Sequence, residues 1–360
     1  MNTPREVLAE GKKLGLPDKF CSVPFIGLLI EPDGKVGLCR IKGDEAEIGN
    51  LHENSILEIW NSPKAQAWRQ EFLDGKPITC KTEVRHKQCH RCIEQNIQLK
   101  PEDLTVVQRL KPRRIAFNLN GKCNLECVMC TIWQKPNGLY DKNGFWDQFD
   151  DLITDLVEVE LLSGEPFIQK DTYKLINMIS ARKPEARWVI TTNLNWKLTP
   201  YIKDHLDKIA IRNLIVSIDS PNPVTYPLIR KNGNLSLLLR TLQDLGHYEK
   251  ERIACGLSGL QIQANFLVQK LNWHELKEIN DFKKKYKVNI FRTFLYEPFE
   301  HSVLSLPEAE RIAIVEFYLE NLTPDENNLN VILPILDSLP PIFKAQYFTH
   351  LKSLSVGASC

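Results

Sequence analysis

Ten cysteines in a chain of 360 residues limit this fold more than any other feature, because three of them share one short loop. Cys123-Asn-Leu-Glu-Cys127-Val-Met-Cys130 is preceded by a Cys-x-x-Cys at Cys89 and Cys92, and by Cys21, Cys39 and Cys80. Cys255 and Cys360 stand alone. Disulfide frameworks belong to oxidising compartments. The opening residues, MNTPREVLAEGKK, carry no apolar run behind their charges and do not form a secretory signal. No stretch approaches the ~18 apolar residues of a membrane span. A cytoplasmic chain without a membrane partner is therefore expected. In that reducing setting, clustered cysteines read first as metal or iron–sulfur ligands.

Charge removes some function classes. Lys plus Arg number 46 against 45 acids, a net charge of +1, so no overall field gathers polyanions. The basic run around Arg85, His86, Lys87 and Arg91 reads as a solvated face beside a metal loop rather than a nucleic-acid contact. With 43% hydrophobic residues the chain can bury a sizeable core.

Strand and helix signals divide the chain. FIGLLI (25–30) and KVGLC (35–39) flank Pro32-Asp33-Gly34 and predict a hairpin, followed by a helix over 55–72. From Arg114 onward strands alternate with helices. The strands are expected at 115–120, 158–162, 187–192, 213–219, 262–268 and 288–294. Trp146, Phe149, Ile153 and Leu156 suggest one helical face, Thr199-Pro200 a helix start, and Asn272-x-x-Glu275 a capping box. Six such units imply an α/β fold with a parallel sheet, either a partial barrel or doubly wound, with chemistry at the C-terminal strand ends. The expected divisions are a cysteine-rich domain at 1–96, a connector at 97–112, a core at 113–300 and a helical extension at 301–360.

Three thiolates in a compact loop can hold three irons of a cubane 4Fe–4S cluster and leave the fourth open to a cofactor or substrate. A zinc knuckle would need a fourth ligand, and no histidine follows closely. The Cys-x3-Cys-x2-Cys spacing after the first strand of the series resembles the radical S-adenosylmethionine (radical SAM) superfamily. Ser163-Gly164-Glu165-Pro166 is similar to that family's Gly-Glu-Pro element, which holds the methionyl amino group of S-adenosylmethionine. Asn193, Ser217 and Asp219 fall where relatives contact ribose or carboxylate. Met129 stands where the family usually has an aromatic residue.

The resemblance implies a partial (β/α)6 TIM-like barrel, a SAM-binding 4Fe–4S cluster at Cys123, Cys127 and Cys130, and S-adenosylmethionine as cofactor. It also implies reductive cleavage to a 5′-deoxyadenosyl radical that takes a hydrogen atom from substrate, with reduced flavodoxin or ferredoxin as electron donor. Cys21, Cys39, Cys89 and Cys92 resemble the ligands of a twitch or SPASM-type auxiliary 4Fe–4S module, with Cys80 an alternative ligand. That module usually follows the barrel; here it precedes it. A zinc ribbon is the other reading of these residues. In the family such modules accompany peptide modification, anaerobic sulfatase maturation, and oxidation or rearrangement of small metabolites. A peptide or protein residue is the expected substrate, with a small metabolite or nucleotide as the alternative. Cys255 is a candidate hydrogen-atom donor. The rival class is a non-catalytic iron–sulfur electron carrier or redox sensor.

Overall fold

The computed structural model describes residues 14–17, 20–39, 46–79, 99–135, 140, 144–162, 164–322 and 325–347. Cys80, Cys89, Cys92, Ser163 and Cys360 lie outside the described residues. Among the described residues the strands, in chain order, are β1 (Gly27–Ile30), β2 (Lys35–Gly37), β3 (Glu47–Asn50), β4 (Arg114–Phe117), β5 (Glu126–Cys127), β6 (Glu158–Leu161), β7 (Arg187–Thr192), β8 (Ala210–Ser217), β9 (Arg230–Lys231), β10 (Ile262–Val268) and β11 (Asn289–Phe294). They belong to two compact units. The first is drawn from Met1–Cys123, Ile132–Thr191 and Thr199–Arg212, the second from Asn124–Thr131, Thr192–Leu198 and Asn213–Cys360.

In the first unit the strand order is β3-β2-β1-β4-β6-β7. β1 and β2 form the expected antiparallel hairpin, with Leu29 opposite Gly37. β1 then runs parallel to β4, with Gly27 opposite Arg114 and Ile30 opposite Phe117. The N-terminal hairpin is thus a continuation of the parallel sheet. Ile115, Val159 and Trp188 are cross-strand neighbours on one sheet face, followed by Phe117, Leu161 and Ile190, and all are buried. The opposite face carries Arg114, Glu158 and Arg187 in the same register. Arg114 pairs with both Glu158 and Glu160, and Arg212 Nε lies 3.2 Å from Glu158 Oε2. The helix Lys170–Arg182 buries Leu175, Ile176 and Ile179, each contributing about 1.5–3 kcal/mol.

Two helical expectations need correction here. The single helix over 55–72 is two, Ile56–Trp60 and Pro63–Leu73. Proline has no N–H to continue the first helix, and it opens the second behind a Ser62 cap that accepts from Ala65 N. The Trp146 face is also divided, into the helix Phe145–Asp150 and a 3-10 turn at Ile153–Asp155. Phe149, Ile153 and Leu156 are still buried.

In the second unit β8, β10 and β11 are parallel neighbours in that order. Val216, Ala264 and Ile290 form a buried row. The alternate row holds Ser217, Asn265 and Phe291, and Thr293 Oγ1 donates to Asn265 Oδ1 at 3.1 Å. The helix Leu235–Ala254 covers the unit with Leu238, Leu242 and Leu245. Asn272 does not cap a helix as its spacing suggested. Its side chain turns inward and donates to the carbonyls of Asp219 (2.6 Å) and Leu267 (2.9 Å), and accepts from Gln269 N (2.7 Å). Glu275 accepts from Ser220 Oγ at 2.6 Å.

Candidate functional site

In the first unit the path from β4 into the cysteine loop is fixed residue by residue. Asn118 N donates to Ile30 O, and the Asn118 amide donates to Glu31 Oε1 at 3.0 Å. Asn120 donates to Asp171 and accepts from Lys122 N. The Lys122 carbonyl, one residue before Cys123, accepts from Glu165 N at 3.0 Å and from Gln169 Nε2 at 2.9 Å. Gly164 sits at φ +55, and a Cβ there would lie 2.2 Å from Lys122 O. A Cβ on Gly121 would lie 2.2 Å from Ile132 O. These two glycines allow the backbones to meet where a side chain could not. The Gly-Glu-Pro segment therefore buttresses the residue immediately before the first cysteine. Glu165 is fully buried, and its Oε1 accepts from Phe167 N at 3.2 Å.

In the second unit three asparagines hold the residues that follow Cys123. Asn124 donates to Asn195 O at 2.7 Å and accepts from the Asn193 amide at 2.9 Å. Asn195 reaches Tyr226 Oη at 2.8 Å and accepts from Asn234 N at 2.6 Å. Burial pushes the Tyr226 hydroxyl up to about 12. Asn193 thus positions the cysteine loop itself.

Cys127 lies opposite Arg230 where β5 meets β9, and Val128 N donates to Ile229 O. Arg230 Nη1 is 3.7 Å from Cys127 Sγ, and Nη2 is 2.7 Å from Asp219 Oδ2. Asp219 Oδ1 accepts from Leu267 N at 2.9 Å, so the Asp219 carboxylate is engaged by the chain itself. Burial opposes charge on Arg230, but Asp219 and Cys127 outweigh it and hold the guanidinium above its usual value. Burial pushes the Cys127 thiol up, with Arg230 acting against that shift. Cys130 N donates to Cys127 O, closing the turn between these two thiols. Ser217 ends β8, half-buried. Cys255 is exposed at the end of the helix Leu235–Ala254.

Cys123, Cys127 and Cys130 are half-buried. Among the described residues no three His, Cys, Asp or Glu side chains are grouped to hold one metal ion. A cubane asks for something else, since each thiolate takes its own iron rather than sharing one point. The soft donor set and the cation beside Cys127 fit such a cluster. Cys21 and Cys39 are also half-buried, at the end of the β1–β2 hairpin away from its turn. Because β1 is parallel to β4, that end lies level with the start of β4, whereas Cys123 follows its C-terminal end.

A family model described as the radical SAM superfamily matches residues 117–260, and one for a SPASM iron–sulfur cluster-binding domain matches residues 21–93. The chain thus carries a radical SAM domain, with a SPASM domain ahead of it. Its radical SAM domain implies a 4Fe–4S cluster with S-adenosylmethionine, and its SPASM domain implies auxiliary iron–sulfur binding. The chain is 25% identical over 181 residues to a probable GTP 3′,8-cyclase of Methanococcus vannielii, covering 48% of this chain and 55% of the relative. It is 27% identical over 191 residues to an AdoMet-dependent heme synthase of Methanosarcina barkeri, covering 52% and 51%. The chain spans about half the length of the curated relatives it matches. A crystal structure of Streptococcus suis SuiB aligns over 87% of this chain and 70% of that one, at 15% identity and a TM-score of 0.42. Among the described residues no helix is long and apolar enough to cross a membrane.

The sequence reading missed Asn124, Asn195 and Arg230. A run of asparagines directly after β7, and an arginine ending the apolar stretch Tyr226–Ile229, were the available signals.

Proposed function

We propose that this chain is a radical SAM enzyme that removes a hydrogen atom from a small polar metabolite. The observation that carries the reading is the Cys123-x3-Cys127-x2-Cys130 loop following β4, with the carbonyl just before its first cysteine braced by the Gly164-Glu165 backbone. When bound, the cluster and S-adenosylmethionine supply one-electron cleavage to methionine and a 5′-deoxyadenosyl radical.

The chain's own part is to hold and orient. Cys123, Cys127 and Cys130 are the ligands of the open cluster, and Glu165 with Gly164 and Ser163 forms the methionyl subsite. Ser217 lies at the cofactor edge, and Asn193 and Asp219 act by fixing the loop and Arg230. Cys21 and Cys39, with Cys89 and Cys92 or Cys80, hold the auxiliary cluster. A reduced flavodoxin or ferredoxin supplies the electron.

A small metabolite is favoured over a peptide by two observations. The relatives are named for action on GTP and for heme synthesis. The half-buried sheet face that carries Ser217, Asn265 and Thr293 is uncharged and offers hydrogen-bonding groups, which suits a compact polar ligand. The peptide reading rests on the auxiliary module alone.

The test is anaerobic reconstitution with iron and sulfide, then incubation with S-adenosylmethionine and dithionite. Methionine and 5′-deoxyadenosine should form, and Cys123→Ala, Cys127→Ala or Cys130→Ala should abolish both. Iron-replete protein that yields neither product defeats the proposal.

A further inference from the structure

Arg230 is 7% exposed, and its guanidinium has two partners of different kinds. One is the Asp219 carboxylate, at 2.7 Å. The other is the sulfur of Cys127, at 3.7 Å, within reach of an N–H···S hydrogen bond. The arrangement is built from both sides. The β5–β9 bridge sets Cys127 opposite Arg230, while Leu267 N and the Asn272 amide hold Asp219 by its Oδ1 and its carbonyl. With little water to screen it, a cation this close acts strongly on whatever charge the sulfur carries.

We infer that Arg230 donates to the Cys127 sulfur in the cluster-bearing protein and thereby sets how readily that cluster accepts its electron, with Asp219 aiming the guanidinium. The inference rests on Cys127 being a cluster ligand, as proposed above. Hydrogen bonds and positive charge at a ligating sulfur favour the more negative, reduced cluster. Arg230 therefore raises the midpoint potential, and Asp219 moderates that rise. Arg230 is a positioning residue; it acts through Cys127.

The experiment is a redox titration of full-length reconstituted protein followed by electron paramagnetic resonance. The relevant signal is the one lost in Cys127→Ala, which separates it from any auxiliary cluster. The double variant R230M/D219N leaves no buried unpaired charge and should shift the midpoint to more negative potential. D219N alone keeps the donor, removes the counter-charge and should shift it the opposite way. R230K keeps the charge without the directed fork and should fall between wild type and the double variant. A purely structural role predicts wild-type midpoints in every variant that loads iron normally, and that result overturns the inference. If the double variant loads poorly, D219N and R230K carry the comparison. Failure of the functional proposal is read separately, as a wild-type signal that does not change on adding S-adenosylmethionine.

Discussion

The carbonyl oxygen of Lys122 lies 2.2 Å from where a Cβ on Gly164 would sit, so the loop after β6 and the approach to Cys123 touch backbone to backbone. Gly164→Ala must move one of the two. It also places an L side chain at φ +55, a strained region. The variant should lose about 2–3 kcal/mol of stability. It should also retain less iron per chain after reconstitution than wild type. Apparent Tm and iron analysis check both. A variant with unchanged iron content would show that the contact does not shape the cysteine loop.

Glu158 is 1% exposed and faces two arginines, Arg114 and Arg212. Glu158→Gln keeps the shape and removes the charge that both guanidinium groups answer. Removing one partner of a buried pair costs up to about 3–5 kcal/mol, and Glu160, which still answers Arg114, keeps the loss at the low end of that range. The urea midpoint of the variant, followed by circular dichroism, should fall accordingly. Replacing Lys183, whose pair with Glu185 is exposed, should change it by under about 1 kcal/mol.

Lys135 Nζ lies 2.9 Å from Asp33 Oδ2, tying the segment after Cys130 to the turn of the N-terminal hairpin within the first unit. Burial is the largest single influence and raises the Asp33 carboxyl, but Lys135 and Lys35 together outweigh it and hold the group below its usual value. A carboxyl lowered by folding contributes stability above its unfolded pKa and loses it as pH falls through the folded value. Wild type should therefore exceed Asp33→Asn by about 0.5 kcal/mol near neutral pH. The difference should vanish in acid, below the ordinary carboxylate range. Denaturation curves of both proteins at several pH values decide this.

Much of this architecture was legible because it is local. Strands at 115–120, 187–192 and 262–268 announce themselves by short β-branched and aromatic runs, and the structure places strands at Arg114–Phe117, Arg187–Thr192 and Ile262–Val268. The three-cysteine spacing is likewise a property of eight consecutive residues. What failed was non-local. Nothing in the sequence pairs Gly27 with Arg114, or brings Arg230 to a cysteine 103 positions earlier. Asn272 and Glu275 have capping-box spacing, yet tertiary demand overrides it. The carbonyls of Asp219 and Leu267 are buried at strand ends and need donors, so the Asn272 amide supplies them. Asn272→Ala should therefore cost about 3 kcal/mol, far more than the ~1 kcal/mol of a lost cap. Thermal denaturation separates the two values.

The last prediction concerns the uncharged sheet face on β8, β10 and β11. Thr293 gives its hydroxyl proton to Asn265 Oδ1, which orients the Asn265 amide so that its N–H groups are its remaining donors. Ser217 is the direct cross-strand neighbour of Asn265 on β8. If this face receives substrate, Thr293→Val removes the orienting bond while keeping the shape, and Asn265→Ala removes the donor. Both variants should still cleave S-adenosylmethionine to 5′-deoxyadenosine without substrate at the wild-type rate, because neither residue belongs to the cysteine loop or the Gly164-Glu165 segment. Substrate conversion should fall about tenfold for each lost hydrogen bond of roughly 1.4 kcal/mol, seen first as a higher KM. Equal losses in uncoupled cleavage and in conversion would place this face at the cofactor instead, and would assign Asn265 and Thr293, like Ser217, to S-adenosylmethionine rather than to the metabolite.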